Sequence, residues 1–339
     1  MKRALNIIAH HQIAGYIAIS FIISWSFFLL TFIVFRDVRT AQALCGKIAA
    51  FGPALAAMLV ASVSHPERKP GRSWRRPLLF GVVWLFAWAV LLLNLKFILG
   101  FPVTVRGIIL FGLVALLPAW VVSCSKSRIA GLRAQFITTW KPRGRVVWYL
   151  VAFLLYPVVL MIGAGIARLM GDSISFRELS PLNYVWLPLI MFLDGYMTSG
   201  GINEESGWRG FLLPRLQKKH SVLVAAIIVW FFWSLWHIPY DIGMSTPLQQ
   251  ILLNRIVFNL LASLLFAWVY NHTNGSIMAA GIIHASMNTA GTFLPVSLYL
   301  LLPLVLLVTL VVVYDRMWQR LPEGHPAAAD GRERRVTGT

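Results

Sequence analysis

The chain has 339 residues, of which 58% are hydrophobic and only 12% are charged. This balance excludes an ordinary soluble domain, and several apolar runs approach or exceed the ~20 residues that a helix needs to cross a bilayer. The runs do not alternate with a period of two, which excludes a transmembrane β-barrel. The formal net charge of +18 does not indicate nucleic-acid binding, because Lys and Arg lie in the connectors between apolar runs, as membrane orientation requires.

The sequence therefore predicts an all-α fold, a polytopic transmembrane helical bundle with about 8–10 spans. In chain order the candidate spans are approximately 13–35, 47–63, 78–101, 104–125, 145–169, 183–198, 221–240, 251–271, 276–294 and 296–314. The first run is too long for the core of a signal peptide and is interpreted as a retained helix. The expected partner is the lipid bilayer, and the sequence does not indicate an oligomeric state.

Basic residues set the predicted orientation. The connectors 64–77 and 126–145 carry most of the Lys and Arg residues between the spans. Since cytoplasmic loops are enriched in these residues, both termini are predicted to be cytoplasmic. We expect an integral, multi-pass protein of a bacterial plasma membrane.

The segment 182–217 is too long for one straight crossing, yet two crossings would reverse the orientation of every later loop. A single broken helix resolves the conflict, with the break predicted at Gly195 and at 199–201. Irregular backbone at membrane depth is tolerated only when it is buried in protein or lines a wet cavity. The break therefore predicts an internal cavity.

Two carboxylates and a guanidinium follow this break. Glu205 and Arg209 are four residues apart, so they share a helix face and can form a charge-assisted pair. Glu204 is rotated by about 100° and is not consumed by that pair, which suits a general base. The structural alternative is a buried salt bridge that only fixes helix packing, but ionisable groups at membrane depth are more often functional.

Later spans supply possible partners. Trp233 precedes His237 by four residues, so its ring can pack against the imidazole and orient it. His284 and Asn288 share one helix face, and two neutral donors that converge in this way could stabilise an oxyanion. The structural alternatives are a satisfied core histidine and interhelical hydrogen bonding.

Together these residues predict a site for peptide-bond hydrolysis without a nucleophilic Ser or Cys, in which a carboxylate and a histidine activate water. Glu204, His237 and His284 could instead bind zinc, since Glu and His are among its usual ligands. The sequence leaves the zinc-dependent and the metal-free mechanisms open.

The ordered motifs EExxxR, aromatic-xxx-His and HxxxN resemble those of the CAAX-protease and bacteriocin-processing (CPBP, Abi) family of intramembrane endopeptidases, which is often labelled a metalloprotease family. The resemblance covers about 195–295. It implies that Glu204 and His237 activate water and that His284 and Asn288 form the oxyanion site, with Glu205, Arg209 and Trp233 in supporting positions. Trp233 departs from the family pattern, which usually has Phe there.

The expected division is an N-terminal transmembrane scaffold over 1–180, a protease core over 181–316 and a disordered cytoplasmic tail over 317–339. The expected substrate is a membrane-associated peptide or protein. Two rival functions use the same features: a non-catalytic membrane scaffold or bacteriocin-immunity protein, and a transporter. Other intramembrane proteases are disfavoured, because the chain lacks HExxH, the rhomboid GxSG and the presenilin GxGD motifs.

Overall fold

The structure is a computed structural model that describes residues 2–68 and 74–328, and over these ranges the chain is helical with no β-strand. The predicted all-α class is confirmed. The helices in chain order are α1 (Lys2–His10), α2 (Gln12–Leu29), α3 (Arg39–Ala50), α4 (Gly52–Ser64), α5 (Arg75–Leu93), α6 (Val105–Ser123), α7 (Ala130–Phe136), α8 (Val147–Leu169), α9 (Asn183–Thr198), α10 (Gly201–Gly207), α11 (Leu213–Gln217), α12 (Val222–Gly243), α13 (Leu248–Leu252), α14 (Asn259–His272), α15 (Ile277–Phe293) and α16 (Leu301–Tyr314).

Within the described residues, six helical stretches are long and apolar enough to cross a membrane, or seven if the bent pair α3–α4 forms one span. The six are Gln12–Val34, Arg75–Ile98, Val105–Lys126, Val147–Leu169, Val222–Gly243 and Leu248–His272. The number is lower than the predicted 8–10, because α9, α15 and α16 have only 16, 17 and 14 residues and are shorter than the ~20 residues of a straight crossing.

The outward faces of the spans are apolar. Ile22, Leu85 and Leu306 are each more than half exposed on the surface of the bundle. A soluble protein rarely exposes so many large aliphatic side chains together, whereas hydrocarbon covers them at no cost. The chain is an integral, multi-pass membrane protein.

The predicted broken helix is confirmed, and its break lies at 199–200, between α9 and α10. Gly200 has a φ of +123°, a backbone conformation that essentially only glycine adopts without strain. The break predicted at Gly195 is wrong. That residue lies inside α9, where a Cβ would stand 3.4 Å from the Ala285 Cα, so its small size serves close packing of α9 on α15.

The short helix α10 lies at the centre of the bundle. All seven of its residues are buried, and it packs against α4, α9 and α15. Small residues permit this close approach: a Cβ on Gly207 would stand 2.6 Å from the Pro53 Cβ and 2.5 Å from the Tyr16 hydroxyl. The charged motif of α10 is therefore enclosed by helices from both halves of the chain.

The basic connectors lie together at one end of the bundle. The Ala130 N–H donates to the Glu67 carbonyl at 2.9 Å, which joins the α4–α5 connector to the α6–α7 connector. Gly144 packs against the backbone of Thr273, which brings the α14–α15 turn to the same end. The positive-inside rule predicts such clustering, because it places most Lys and Arg residues of the connectors on one side of the membrane.

The segment after α16 differs in part from the predicted tail over 317–339. Met317 and Ala327 are buried, and the Leu223 N–H donates to the Met317 carbonyl at 2.8 Å. This first part is ordered because its apolar side chains cover the end of the bundle beside α12. Residues 329–339 lie outside the described residues.

We expect Gly207→Ala to lower the stability of the protein, by about 1–3 kcal/mol, because the added methyl group overpacks the contact between α10 and α4. Thermal unfolding in one detergent measures the effect. Gly165→Ala is the matched control, since no heavy atom lies within 4 Å of a Cβ at this helical position and alanine favours a helix. Equal unfolding temperatures for the two variants would contradict the packing described.

Candidate active site

Trp233 lies at the middle of the predicted site residues. Its indole Nε1–H donates to Glu204 Oε2 at 2.8 Å, and its backbone carbonyl accepts a hydrogen bond from His237 Nδ1 at 2.7 Å. Its ring also meets the His284 ring edge to face, with centroids 5.6 Å apart. One residue of α12 thus contacts three of the side chains that the sequence predicts to act together.

Two hydrogen-bond acceptors are left facing the cavity. A carbonyl can only accept, so His237 Nδ1 carries a proton and the Nε2 of the neutral ring keeps its lone pair. Glu204 is buried, and the bond from Trp233 is the only hydrogen bond that its carboxylate receives from the described residues. The second carboxylate oxygen of Glu204 and His237 Nε2 can therefore both accept protons from a bound molecule.

Glu205 and Arg209 form the predicted pair of side chains four residues apart. Arg209 Nη1 donates to both Glu205 oxygens, at 2.8 and 3.1 Å, and both side chains are fully buried. The guanidinium lies 4.6 Å from the ring centroids of Trp233 and Phe266, which favours its charge through cation–π attraction. Glu205 also accepts a hydrogen bond from His284 Nδ1 at 2.8 Å, a contact that the sequence did not predict.

His284 and Asn288 lie on one face of α15, as predicted, and both reach the helix break. Asn288 Nδ2 donates to the Ser199 carbonyl at 2.9 Å, so one of its amide hydrogens is fixed and the other is available. His284 Nε2 lies against Gly200, where any Cβ would overlap the imidazole. Only glycine at position 200 therefore leaves room for the His284 imidazole at the break.

A cavity of about 780 Å³ brings the four candidate catalytic residues together, since Glu204, His237, His284 and Asn288 all line it. Its volume lies within the range that small-molecule and peptide sites usually occupy. The apolar part of its lining includes Phe28, Phe32, Leu99, Met244 and Met287. A cavity lined by both polar and apolar side chains suits an amphipathic or membrane-associated ligand.

The donor set does not fit a metal ion. Among the described residues, no three His, Cys, Asp or Glu side chains lie close enough together to hold one. Glu204, His237 and His284 share the cavity without forming such a group.

Two ion pairs at the cavity were not predicted as site features. Lys47 of α3 pairs with Asp194 at 2.6 Å, and Arg255 pairs with Asp241 at 2.6 Å. In the sequence, a single charged residue within an apolar run indicates such an ion pair, because an isolated buried charge needs a partner. The sequence did not show which partner each charge takes.

The candidate site lies in a part of the chain that matches a protein-family model. Residues 185–290, about a third of the chain, match the family described as type II CAAX prenyl endopeptidase Rce1-like. This segment contains the break and all four candidate catalytic residues. Within these residues the chain is similar to the CAAX-protease family.

One curated relative agrees with this assignment. The chain is 30% identical over 149 residues to the CAAX prenyl protease 2 of Methanococcus maripaludis, a match that covers 41% of this chain and 53% of that protein. The chain thus matches about half the length of the relative. The resemblance to the CAAX-protease family is confirmed, whereas the bacteriocin-processing branch, metal dependence and the residue roles stay predictions.

We expect Trp233→Phe to lower the stability of the protein more than Trp236→Phe does, by about 1–3 kcal/mol, because it removes a hydrogen bond to a buried carboxylate. Trp236 is the matched control. It lies on the same helix, is equally buried and also packs edge to face on His237, but its indole N–H has no hydrogen-bond partner among the described residues. Thermal unfolding of both variants measures the difference, and a larger loss for Trp236→Phe would contradict the contact with Glu204.

Proposed function

We propose that this protein is an intramembrane endopeptidase that hydrolyses a peptide bond of a membrane-associated peptide or protein. The observation that carries the proposal is the cavity itself, which two free acceptors, Glu204 and His237, line together with two donors, His284 and Asn288. Acceptors can activate water and donors can stabilise an oxyanion, so the cavity contains both halves of a hydrolytic site.

In the first step, a water molecule donates one hydrogen to Glu204 and the other to His237 Nε2. Its oxygen lone pair then attacks the carbonyl carbon of the peptide, and Glu204 takes the proton as general base. The protonated carboxyl of Glu204 later returns this proton to the leaving amine as the C–N bond breaks. The immediate products are a carboxylic acid, which keeps the second water proton, and an amine. The acid then passes this proton to the amine, and no covalent enzyme intermediate is needed.

The oxyanion forms beside Asn288 and His284. Asn288 supplies its remaining amide N–H, and His284 supplies Nε2–H. Since His284 Nδ1 already donates to Glu205, the ring must carry protons on both nitrogens to donate twice.

The substrate class follows from the setting of the cavity. Its apolar region can hold a hydrophobic segment or a lipid group attached to the substrate, while its polar residues meet the scissile bond. The name of the archaeal relative refers to prenylated CAAX proteins, which makes a lipid-modified C-terminal peptide one substrate to test. A membrane-spanning peptide without a lipid group is the other.

We also propose a multi-pass location in a bacterial plasma membrane, with both termini in the cytoplasm. The supporting observation is that the basic connectors gather at one end of the bundle. The positive-inside rule places that end on the cytoplasmic side. The ordered segment after α16 lies at the same end, because Leu223 at the start of α12 contacts Met317.

We expect Glu204→Gln to reduce cleavage roughly 100- to 10,000-fold, because the amide cannot accept the proton from water. The assay uses purified protein in liposomes, with an internally quenched peptide ending in a farnesylated CAAX sequence, the same peptide without the lipid, and a membrane-spanning peptide. Mass spectrometry identifies the products. Glu178→Gln is the matched control at an exposed position. A wild-type protein that cleaves none of the peptides, or a fully active Glu204→Gln variant, would contradict the proposal.

We expect cleavage to persist after dialysis against millimolar EDTA and 1,10-phenanthroline, because the proposed water activation needs only Glu204 and His237. The measurement compares initial rates before and after treatment, with metal analysis of the same samples. A loss of activity that stoichiometric Zn²⁺ restores would replace this mechanism with a metal-dependent one.

A further inference from the structure

The N-terminal half of the chain reaches the helix break through Lys47 of α3. Its Nζ donates to Asp194 Oδ1 at 2.8 Å and Oδ2 at 2.6 Å, to Thr198 Oγ1 at 3.0 Å and to Ser199 Oγ. The two charged side chains are only 15% and 3% exposed. The ammonium group also lies at the C-terminal end of α9, where the helix dipole favours a cation.

The hydroxyl groups of Thr198 and Ser199 also hydrogen-bond to the Asp194 carboxylate. Thr198 Oγ1 donates to Asp194 Oδ1 at 2.5 Å, and Ser199 Oγ donates to Asp194 Oδ2 at 3.1 Å. Because both hydroxyl hydrogens are directed at Asp194, each hydroxyl can only accept from Lys47. Lys47 is held in an ion pair with Asp194, an arrangement that disfavours it as the base of a Ser–Lys nucleophilic pair.

This network fixes the peptide unit that holds Asn288. The carbonyl of Ser199 accepts the Asn288 side-chain N–H at 2.9 Å, so the direction of that carbonyl sets the direction of the second, free N–H. Helix α3 supports the break at a second point, where Asn203 Nδ2 donates to the Ala50 carbonyl at 2.9 Å. The Asn203 side chain in turn accepts the Gly200 N–H at 2.8 Å.

We propose that Lys47 is a positioning residue for the oxyanion side of the cavity, acting with Asp194 through Ser199 on the Asn288 amide. This inference rests on the proposed peptidase function. A donor stabilises an oxyanion only when it is held in place beforehand, and a displacement of about 1 Å can cost roughly 100-fold in rate. The predicted scaffold half of the chain thus takes part in catalysis by supporting the donors of the cavity.

Lys47→Met keeps the length of the side chain and removes its charge and donors. We expect it to lower kcat about 10- to 100-fold while KM changes by less than about threefold, since the support acts on the transition state and not on binding. Lys47→Arg should restore most of the rate, because it returns a cation to Asp194. Lys96→Met is the matched control, an exposed lysine in the same half of the chain. A Lys47→Met variant as active as Lys96→Met would overturn the inference.

A phosphinic peptide, which mimics the tetrahedral intermediate, separates positioning from general damage. Across wild type, Lys47→Met and Lys47→Arg, its Ki should rise by the same factor by which kcat/KM falls.

Ser199→Ala keeps the carbonyl that binds Asn288 and should retain cleavage within about tenfold of wild type. Complete loss of cleavage in Ser199→Ala, together with fluorophosphonate labelling of Ser199 in the wild type, would make Ser199 a nucleophile and overturn the inference.

Two further measurements apply if Lys47→Met does not fold or if the wild type cleaves no peptide. If Lys47→Met fails to fold because Asp194 is left as an unpaired buried charge, the neutral double variant Lys47→Met/Asp194→Asn replaces it. Hydrogen exchange of the peptide covering 196–203 then reports on the break without any substrate. In the Lys47 variant, hydrogen exchange of this peptide should be at least about tenfold faster than in Lys96→Met. Unchanged exchange would overturn the inference. If the wild type cleaves no peptide, the proposed function fails, while the exchange result still shows whether Lys47 holds the break.

Discussion

A helix that breaks inside the hydrocarbon layer exposes backbone groups that lipid cannot satisfy, and this constraint organises the bundle. The Gly200 N–H is accepted by the Asn203 side chain, and the Ser199 carbonyl accepts from Asn288. Helices α10 and α15 must therefore bring polar side chains to the same point. The cavity lies at this point, since Ser199 and Asn288 both line it.

Most of the buried charged side chains at the cavity are also paired with a partner. Lys47 with Asp194, Arg209 with Glu205 and Arg255 with Asp241 form close ion pairs at or beside the cavity, which offsets the cost of burying each charge. Glu204 differs from the other carboxylates, since no cation among the described residues forms an ion pair with it. Its donor is the neutral indole of Trp233. A carboxylate without a counter-ion can take up a proton without breaking an ion pair, so this asymmetry supports the proposal that Glu204 is the base.

Contacts within one helix were predictable from spacing, whereas contacts between helices were not. The Glu205–Arg209 pair and the common face of His284 and Asn288 follow from a separation of four residues. By contrast, 147 residues separate Lys47 from Asp194, and 79 separate Glu205 from His284. Helical periodicity says nothing about which faces of two distant helices meet. The break also shows this limit, since a glycine such as Gly195 can serve close packing instead of a turn.

The cavity has two sides with different supports. On the acceptor side, Trp233 orients His237 through its backbone and Glu204 through its indole, so a shift of α12 moves both acceptors together. On the donor side, His284 and Asn288 depend on α15 and on the break. Glu205 joins the two sides, because it follows Glu204 in α10 and holds the His284 ring. A change at Glu205 would therefore disturb the distance between acceptors and donors, on which the proposed attack of water on the carbonyl depends.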